Sequence, residues 1–410
     1  MKKEHSSRWR KLDNAAQAFP AATGKKDTRV FRFYCQLKED IQADLLQKAL
    51  EETMEHYPVF SMVLRKGLFW FYLEQRDLPA KVEEEKRPPC SEIYVPDHKT
   101  LLFQVSYYKT RINFEVFHAL TDGTGAMLFL KELVSNYLIL RHPEETFSKV
   151  SEDMLTETDF EEDSFSQYYT GKKSEKEKSR PAYQIKGEYL EQEKMEITEI
   201  LLSAEAVHKC AKAHGVSVTA YLAAALVYAV YEEIPKSRLK KPVSLMVPAN
   251  LRNFFPSASM TNFWSWIEIA CDLGPEASFE DALQITGAAM QKEALKQEIS
   301  TRMNDLVRIE RNPVLRAVPL EIKNLALMAG TTLGSITTVY SNIGRIQMPP
   351  EYETYIERFG FFTSTDKVQM CSCSYGDSMV LGITSKIADS NIERNLMHLL
   401  QKEGIVCEQE

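Results

Sequence analysis

The sequence predicts a mixed α/β protein built from two subdomains. Three observations carry this. The chain has 410 residues, more than one hydrophobic core usually fills. Strand-like and helix-like patterns alternate in both halves. Between the halves lies a stretch too charged to bury a core. These place a first subdomain at 1–145, a charged crossover at 146–194 and a second subdomain at 195–410.

In the first half, VFRFYCQL at 30–37 mixes aromatic and β-branched residues in near-alternation and reads as a strand. A helix follows, with Ile41, Leu45, Ala49 and Leu50 on one face and Pro58 marking its end. Residues 62–73 read as a hairpin turning at Lys66-Gly67. Residues 101–108 and 112–117 read as adjacent strands, and 125–140 as a helix. The crossover is acidic over 152–163 and almost wholly charged over 172–180, KKSEKEKSR. A short strand at 195–201 is expected to close it. In the second half, Ser203 is a candidate N-cap and Gly215 a C-terminal stop for one helix. A buried helix is expected over 218–233. Strands are expected at 242–251 and 262–271, and helices at 278–299 and 301–328. Further strands fall at 336–342, 367–375 and 378–385, and a last helix at 391–403.

Composition excludes several function classes. Fifty basic against fifty-eight acidic residues give a net charge of −8, the wrong sign for a nucleic-acid footprint. Seven widely spread cysteines do not form a secreted disulfide framework and fit a reducing cytoplasm, which is the expected location. No apolar region follows the charged N-terminus, so no signal peptide is expected. The most apolar run, YLAAALVYAVY at 221–231, is too short to span a bilayer.

The sharpest local feature is FHALTDG at 117–123, where a strand ends and a helix begins. Loop junctions on a rigid scaffold often carry reactive groups. His118 is near neutral at cytoplasmic pH and can accept a proton from a hydroxyl or amine. Asp122 lies one helical turn on and is placed to fix the loop. Gly123 permits a tight turn and leaves room for a ligand. The competing reading is a polar loop histidine beside an ordinary Asp-Gly turn.

Other candidates carry less. Cys371 and Cys373 share one strand face without a second pair and read as core. His208 and His214 belong to an amphipathic helix, and His5 and His142 to tails or loops. Trp264 and Trp266 alternate along a strand, where core or cavity lining would look alike. Ser341 and Asn342 could donate hydrogen bonds or end a strand. Neither a G-x-S-x-G elbow nor a Walker-type loop is present.

HALTDG resembles the His-x-x-x-Asp-Gly signature of the CoA-dependent acyltransferase superfamily, which includes chloramphenicol acetyltransferase, plant BAHD acyltransferases, alcohol acetyltransferases and peptide-synthetase condensation domains. Other segments resemble it in order: LDNAAQAFPA at 12–21 looks like the start of bacterial alcohol-acetyltransferase-like chains. HYPVFSMVL at 56–64 is similar to the segment after the first helix. The 202–226 helix pair, VPANLRNFFP at 247–256, TNFWSW at 261–266 and VYSNIG at 339–344 follow. A single histidine, with Phe117 before it, leans away from a peptide-forming domain. The plant DFGWG motif is absent, and ERFGFFT at 357–363 is the nearest segment.

The resemblance implies two chloramphenicol-acetyltransferase-like subdomains, each an α/β sandwich, forming a V around a central tunnel. His118 would be the catalytic base within it. Asp122 would point away from the tunnel and form a bidentate pair with Arg252, holding the loop with Gly123. Asn262, Trp264, Ser341 and Asn342 are the candidates for lining the tunnel or binding substrate. The implied reaction moves an acyl group, acetyl in the first instance, from acyl-CoA as co-substrate to a small alcohol or amine. No metal, permanently bound cofactor, nucleic acid or transmembrane segment is implied. Two alternatives accompany it: an enzyme taking its acyl group from an acyl carrier protein in trans, and a catalytically inactive binder of the same fold.

Overall fold

The structure is a computed structural model. It describes residues 9–13, 16–150, 164–172, 180–191, 194–293, 295–324 and 334–409. His5, the acidic run at 152–163, nearly all of KKSEKEKSR and the end of the helix expected to reach 328 lie outside the described residues.

The first half runs β1 (Trp9–Lys11), α1 (Ala18–Ala22), β2 (Val30–Leu37), α2 (Ala43–His56), β3 (Met62–Lys66), β4 (Phe71–Gln75), β5 (Val82–Glu84), β6 (Phe103–Tyr108), β7 (Arg111–Phe117) and α3 (Gly123–Arg141). The second half runs α4 (Ser164–Gln167), β8 (Glu196–Ser203), α5 (Ala204–Ala213), α6 (Val218–Glu233), β9 (Val243–Asn250), β10 (Trp264–Cys271), α7 (Phe279–Glu293), α8 (Lys296–Arg311) and α9 (Pro313–Ala317). It continues with β11 (Thr338–Arg345), β12 (Ile356–Thr363), β13 (Val368–Tyr375), β14 (Ser378–Ser385), α10 (Ile392–Lys402) and β15 (Glu408–Gln409).

Each half is a sheet covered by helices. The first sheet has the order β12-β2-β7-β6-β5, and a small one the order β1-β4-β3. Phe60, Phe103, Phe114 and Phe129 interlock where the first sheet meets α3, with ring centroids 4.3–5.9 Å apart. β2 is buried along nearly its whole length because it lies inside the sheet with both faces covered. Its Arg32 is tolerated there by Glu85 and Glu115. The second sheet has the order β10-β9-β11-β13-β14-β8-β15. The alanine-rich α6 is buried on most sides because it packs on that sheet and against α7 and α10. Ser203 and Ser217 cap α5 and α6, accepting from the amides of Ala206 and Ala220 at 3.1 and 3.2 Å.

Short elements such as β1, α1, β5 and β15 were not expected, the helix expected over 278–299 ends at Glu293, and two further differences bear on the architecture. The helix expected over 301–328 starts earlier, at Lys296, and stops at Arg311. Pro313 cannot continue it, and the Asn312 side chain starts a new turn by accepting from the amides of Val314 and Leu315. The second difference is β12, which the sequence pattern did not separate from its surroundings. It pairs antiparallel with β2, Phe361 opposite Phe33 and Thr363 opposite Phe31. One strand of the second half thus completes the sheet of the first and crosses the division drawn at 145 and 195.

β12 also lies against β14. A Cβ on Gly382 would sit 2.4 Å from the backbone oxygen of Phe361. Gly382→Ala should therefore push the two strands apart and cost about 1–3 kcal/mol by overpacking. Chemical denaturation checks this, and an unchanged midpoint would show that the contact yields freely.

Candidate active site

Register places the site. Val30 of β2 pairs with Phe117 of β7, so the next residue, His118, leaves the sheet beside the start of β2. Its amide donates to the carbonyl of Arg29 at 2.9 Å. Arg29 adopts φ +55°, a left-handed conformation uncommon for a residue with a side chain. After His118 the chain turns once and enters α3.

Asp122 caps that helix. Its Oδ1 accepts from the amides of Thr124 and Gly125 at 3.1 and 3.2 Å, where the helix dipole favours a carboxylate. Its Oδ2 accepts from Arg252 Nη1 at 2.7 Å and from the Phe263 amide at 2.9 Å. The bidentate pair expected with Arg252 is therefore a single contact, because the other oxygen is occupied by the helix cap. The guanidinium also reaches backbone carbonyls, Nε and Nη2 to Ser259 at 3.2 and 2.6 Å and Nη2 to Thr261 at 2.7 Å, and Nη1 donates to Asn250 Oδ1 at 3.3 Å. Arg252 thereby ties the 259–263 segment to the loop that carries His118. Asn250 adds a tie, donating to Thr124 Oγ1 at 3.0 Å.

That segment holds the imidazole. Asn262 Nδ2 donates to the His118 carbonyl at 3.0 Å, and Asn262 Oδ1 faces His118 Nδ1 at 3.1 Å. Trp264 Nε1, which can only donate, also reaches Asn262 Oδ1, at 3.3 Å. The amide oxygen is thus the acceptor, and His118 Nδ1 must carry a hydrogen to bond it. The lone pair that can take a proton then lies on Nε2. Phe19 stacks on the ring at 4.3 Å and Phe31 meets it edge-on at 5.0 Å. Burial holds the His118 pKa below its ordinary 6.5, and Arg29 pushes the same way against opposing pulls from Asp122 and Asn262.

His118 lines a cavity of about 790 Å³ whose walls come from both halves. Of the residues expected to line it, Trp264, Ser341 and Asn342 do, and Gly123 borders it with Asp122, which was expected to point away. Asn342 is held by its own bonds to Thr219 Oγ1 at 2.9 Å and the Gly344 amide at 2.8 Å. Asn262 is buried behind the histidine rather than in the wall. Gly123 leaves space that a Cβ would fill to 2.8 Å from Ile343. Sequence reasoning missed part of the wall: Arg29, Lys367 and the crossover residues Gln184, Ile185 and Tyr189. The crossover carries no periodic pattern, so nothing in it advertised a wall. Cys371 and Cys373 are buried free thiols, and no metal-binding cluster occurs among the described residues. His214 pairs with Glu403 and His142 with Glu39, at 2.8 and 2.7 Å, apart from the cavity. Among the described residues, no single helix is long and apolar enough to cross a membrane.

Solved structures share this fold over nearly the whole chain. Polyketide synthase associated protein 5 from Mycobacterium tuberculosis is 17% identical, with a TM-score of 0.65, covering 95% of this chain and 96% of its own. The F. graminearum TRI101 protein complexed with coenzyme A and deoxynivalenol is 12% identical, with a TM-score of 0.64 over 98% and 99% of the two chains. The epimerization domain from the third module of tyrocidine synthetase B is 10% identical, with a TM-score of 0.59 over 97% and 95%. No curated protein matches the chain by sequence. At these identities the likeness is one of fold, held over nearly the full length of each chain. Residues 191–315 match the family model of the phthiocerol/phthiodiolone dimycocerosyl transferase C-terminus.

Two outcomes are expected. Arg252→Ala removes the partner of a buried carboxylate and should destabilise the protein by about 3–5 kcal/mol, measured by denaturant unfolding. A loss below 1 kcal/mol would mean that the pair behaves as a surface ion pair. The His118 ring should titrate below pH 6.5 in an NMR titration. The folded state binds this proton less readily than the unfolded chain, so His118 takes stability away as pH falls from 6.5 toward the folded pKa. A midpoint at or above 6.5 would show a solvated ring.

Proposed function

We propose that the protein transfers an acyl group, acetyl in the first instance, from acyl-CoA to a small alcohol or amine, with His118 as the general base. The observation that carries this is a neutral imidazole on a cavity wall, its Nδ1 hydrogen committed to Asn262 and its Nε2 lone pair left to take a proton.

In this reading the acceptor hydroxyl or amine gives its proton to Nε2 as its heteroatom attacks the thioester carbonyl. A new carbon–oxygen or carbon–nitrogen bond forms. The tetrahedral intermediate then collapses, the carbon–sulfur bond breaks, and the imidazolium returns the proton to the departing thiolate. A depressed pKa suits both halves: the ring is unprotonated before attack and a willing donor afterwards. No covalent acyl-enzyme is needed, since one cavity can hold both reactants and supply the proximity. Asp122 borders the cavity but has both oxygens committed to amides and the guanidinium, and Arg252 lies outside the wall. They act by holding the loop and the 259–263 segment together. The fold likeness to the complex of TRI101 with coenzyme A and deoxynivalenol supports a donor of that chemistry and a small-molecule acceptor.

The test is thiol release from a panel of acyl-CoAs with alcohols and amines, run in parallel with an acyl carrier protein as donor. His118→Ala should fall roughly 100-fold or more in turnover while its unfolding curve is kept. Full turnover in that variant would overturn the base assignment. Activity with the carrier donor alone would replace CoA as the donor.

A further inference from the structure

One carboxylate beside the site has no part in the scheme above. Asp13 belongs to the LDNAAQAFPA opening and precedes α1. Its Oδ1 accepts from the Ala16 amide at 2.8 Å, and its Oδ2 accepts from the Asn262 amide at 3.2 Å. The first bond ties Asp13 to the start of α1, where the Gln17 amide meets the Asp13 carbonyl at 3.2 Å and the Phe19 amide the Ala16 carbonyl at 3.1 Å. Phe19 is the ring stacked on His118, interplanar angle 19°. The second bond fixes the backbone of Asn262, whose side chain grips His118 at both its carbonyl and its Nδ1. One carboxylate is therefore bonded to both supports of the imidazole, the one on its face and the one at its edge.

The two supports differ: the 259–263 segment is anchored by Arg252 and Asp122 at Ser259, Thr261 and Phe263, while the Asn262 amide between them meets Asp13. α1 has only five residues, too few to hold its own geometry in water. The 259–263 segment lies between a short turn and β10, with Asn262 just before the strand begins. A carboxylate with two amide donors is a strong acceptor. It is also costly here: burial pushes the Asp13 carboxyl up to about 7, with Asp122 adding and Arg10 and the two amides opposing. A surface turn could use a cheaper cap.

We infer that Asp13 is a positioning residue for His118, joining the Phe19 turn to Asn262 so that the ring keeps its orientation and its Nδ1 hydrogen. This rests on the reading of His118 as base. Asp13 touches neither reactant and acts through the two groups that touch the ring.

The test separates this role from a purely structural one. Asp13→Asn keeps the size but turns one acceptor into a donor. Asp13→Ser keeps an acceptor for the Ala16 amide and gives up the bond to Asn262; it also serves should the asparagine variant not fold. Nitrogen-15 NMR of the substrate-free protein, with the His118 signals assigned by their absence in His118→Ala, reads the tautomer directly. The parent should show a protonated Nδ1 and an unprotonated Nε2, and both Asp13 variants a mixture. In the acyl-transfer assay both variants should lose roughly 10- to 100-fold in kcat with KM for acyl-CoA little changed. Asp13→Ser combined with Asn262→Ala should be no worse than Asn262→Ala alone, because both act through one chain of bonds. A single unchanged tautomer in both Asp13 variants, or strictly additive losses in the double variant, would overturn the inference. Retained turnover in His118→Ala would instead defeat the base reading, and the NMR result would still decide what Asp13 does to the ring.

Discussion

The site depends on how one buried carboxylate divides its two oxygens. Oδ1 of Asp122 caps the start of a helix, and Oδ2 faces a guanidinium and the Phe263 amide from the other half of the chain. Each role alone is ordinary. Together they make the start of α3 and the 259–263 segment a single rigid piece, and His118 sits within it. The pairing is worth more as geometry than as net stability, since desolvating both ions offsets much of their attraction. Arg252 shows the same priority. Three of its contacts go to carbonyls of Ser259 and Thr261, a use of the guanidinium fork that an ammonium could not reproduce.

The imidazole is held by contacts of a different kind. Stacked and edge-on aromatic rings exclude water, and burial disfavours the charged form. The Asn262 amide decides which nitrogen carries the hydrogen. Its own direction is settled by Trp264, a residue with no acceptor capacity. A tryptophan in the cavity wall therefore fixes an amide, and the amide fixes the histidine. Much of the cavity wall beyond this comes from strands and loops of the second half, together with crossover residues near 184–189.

Much of this was legible in the sequence because it follows local rules. Ser203 and Ser217 announce helix starts, Gly215 takes φ +70° at a helix end, and the apolar face of 218–233 fixes its own boundaries. The HALTDG loop stood out because His, Asp and Gly at fixed spacing fall at a strand–helix junction, although an ordinary Asp-Gly turn would share that spacing. What stayed hidden is non-local. β12 is buried for most of its length because it lies between two sheets, so ERFGFFT shows no alternation and its partner is over 300 residues away. The second oxygen of Asp122 was assigned to Arg252 because a helix cap made by the same side chain cannot be seen without the backbone. Asp13 was invisible for the same reason: its acceptor role depends on an amide in a distant segment.

The strand lent by the second half has a consequence for how the chain is made. During synthesis β2 emerges early and finds β7 soon after, but its other flank stays unpaired until β12 leaves the ribosome. At about 5–20 residues per second that interval lasts roughly 15–60 s. Throughout it, an apolar strand presents free amides and carbonyls, the surface that recruits wrong partners. Closing that flank joins residues far apart in the chain, a costly late step of the kind that slows folding. The nascent protein is therefore most vulnerable to misassembly just before β12 appears near its C-terminal end, and a chain cut short of β12 would keep that flank open for good.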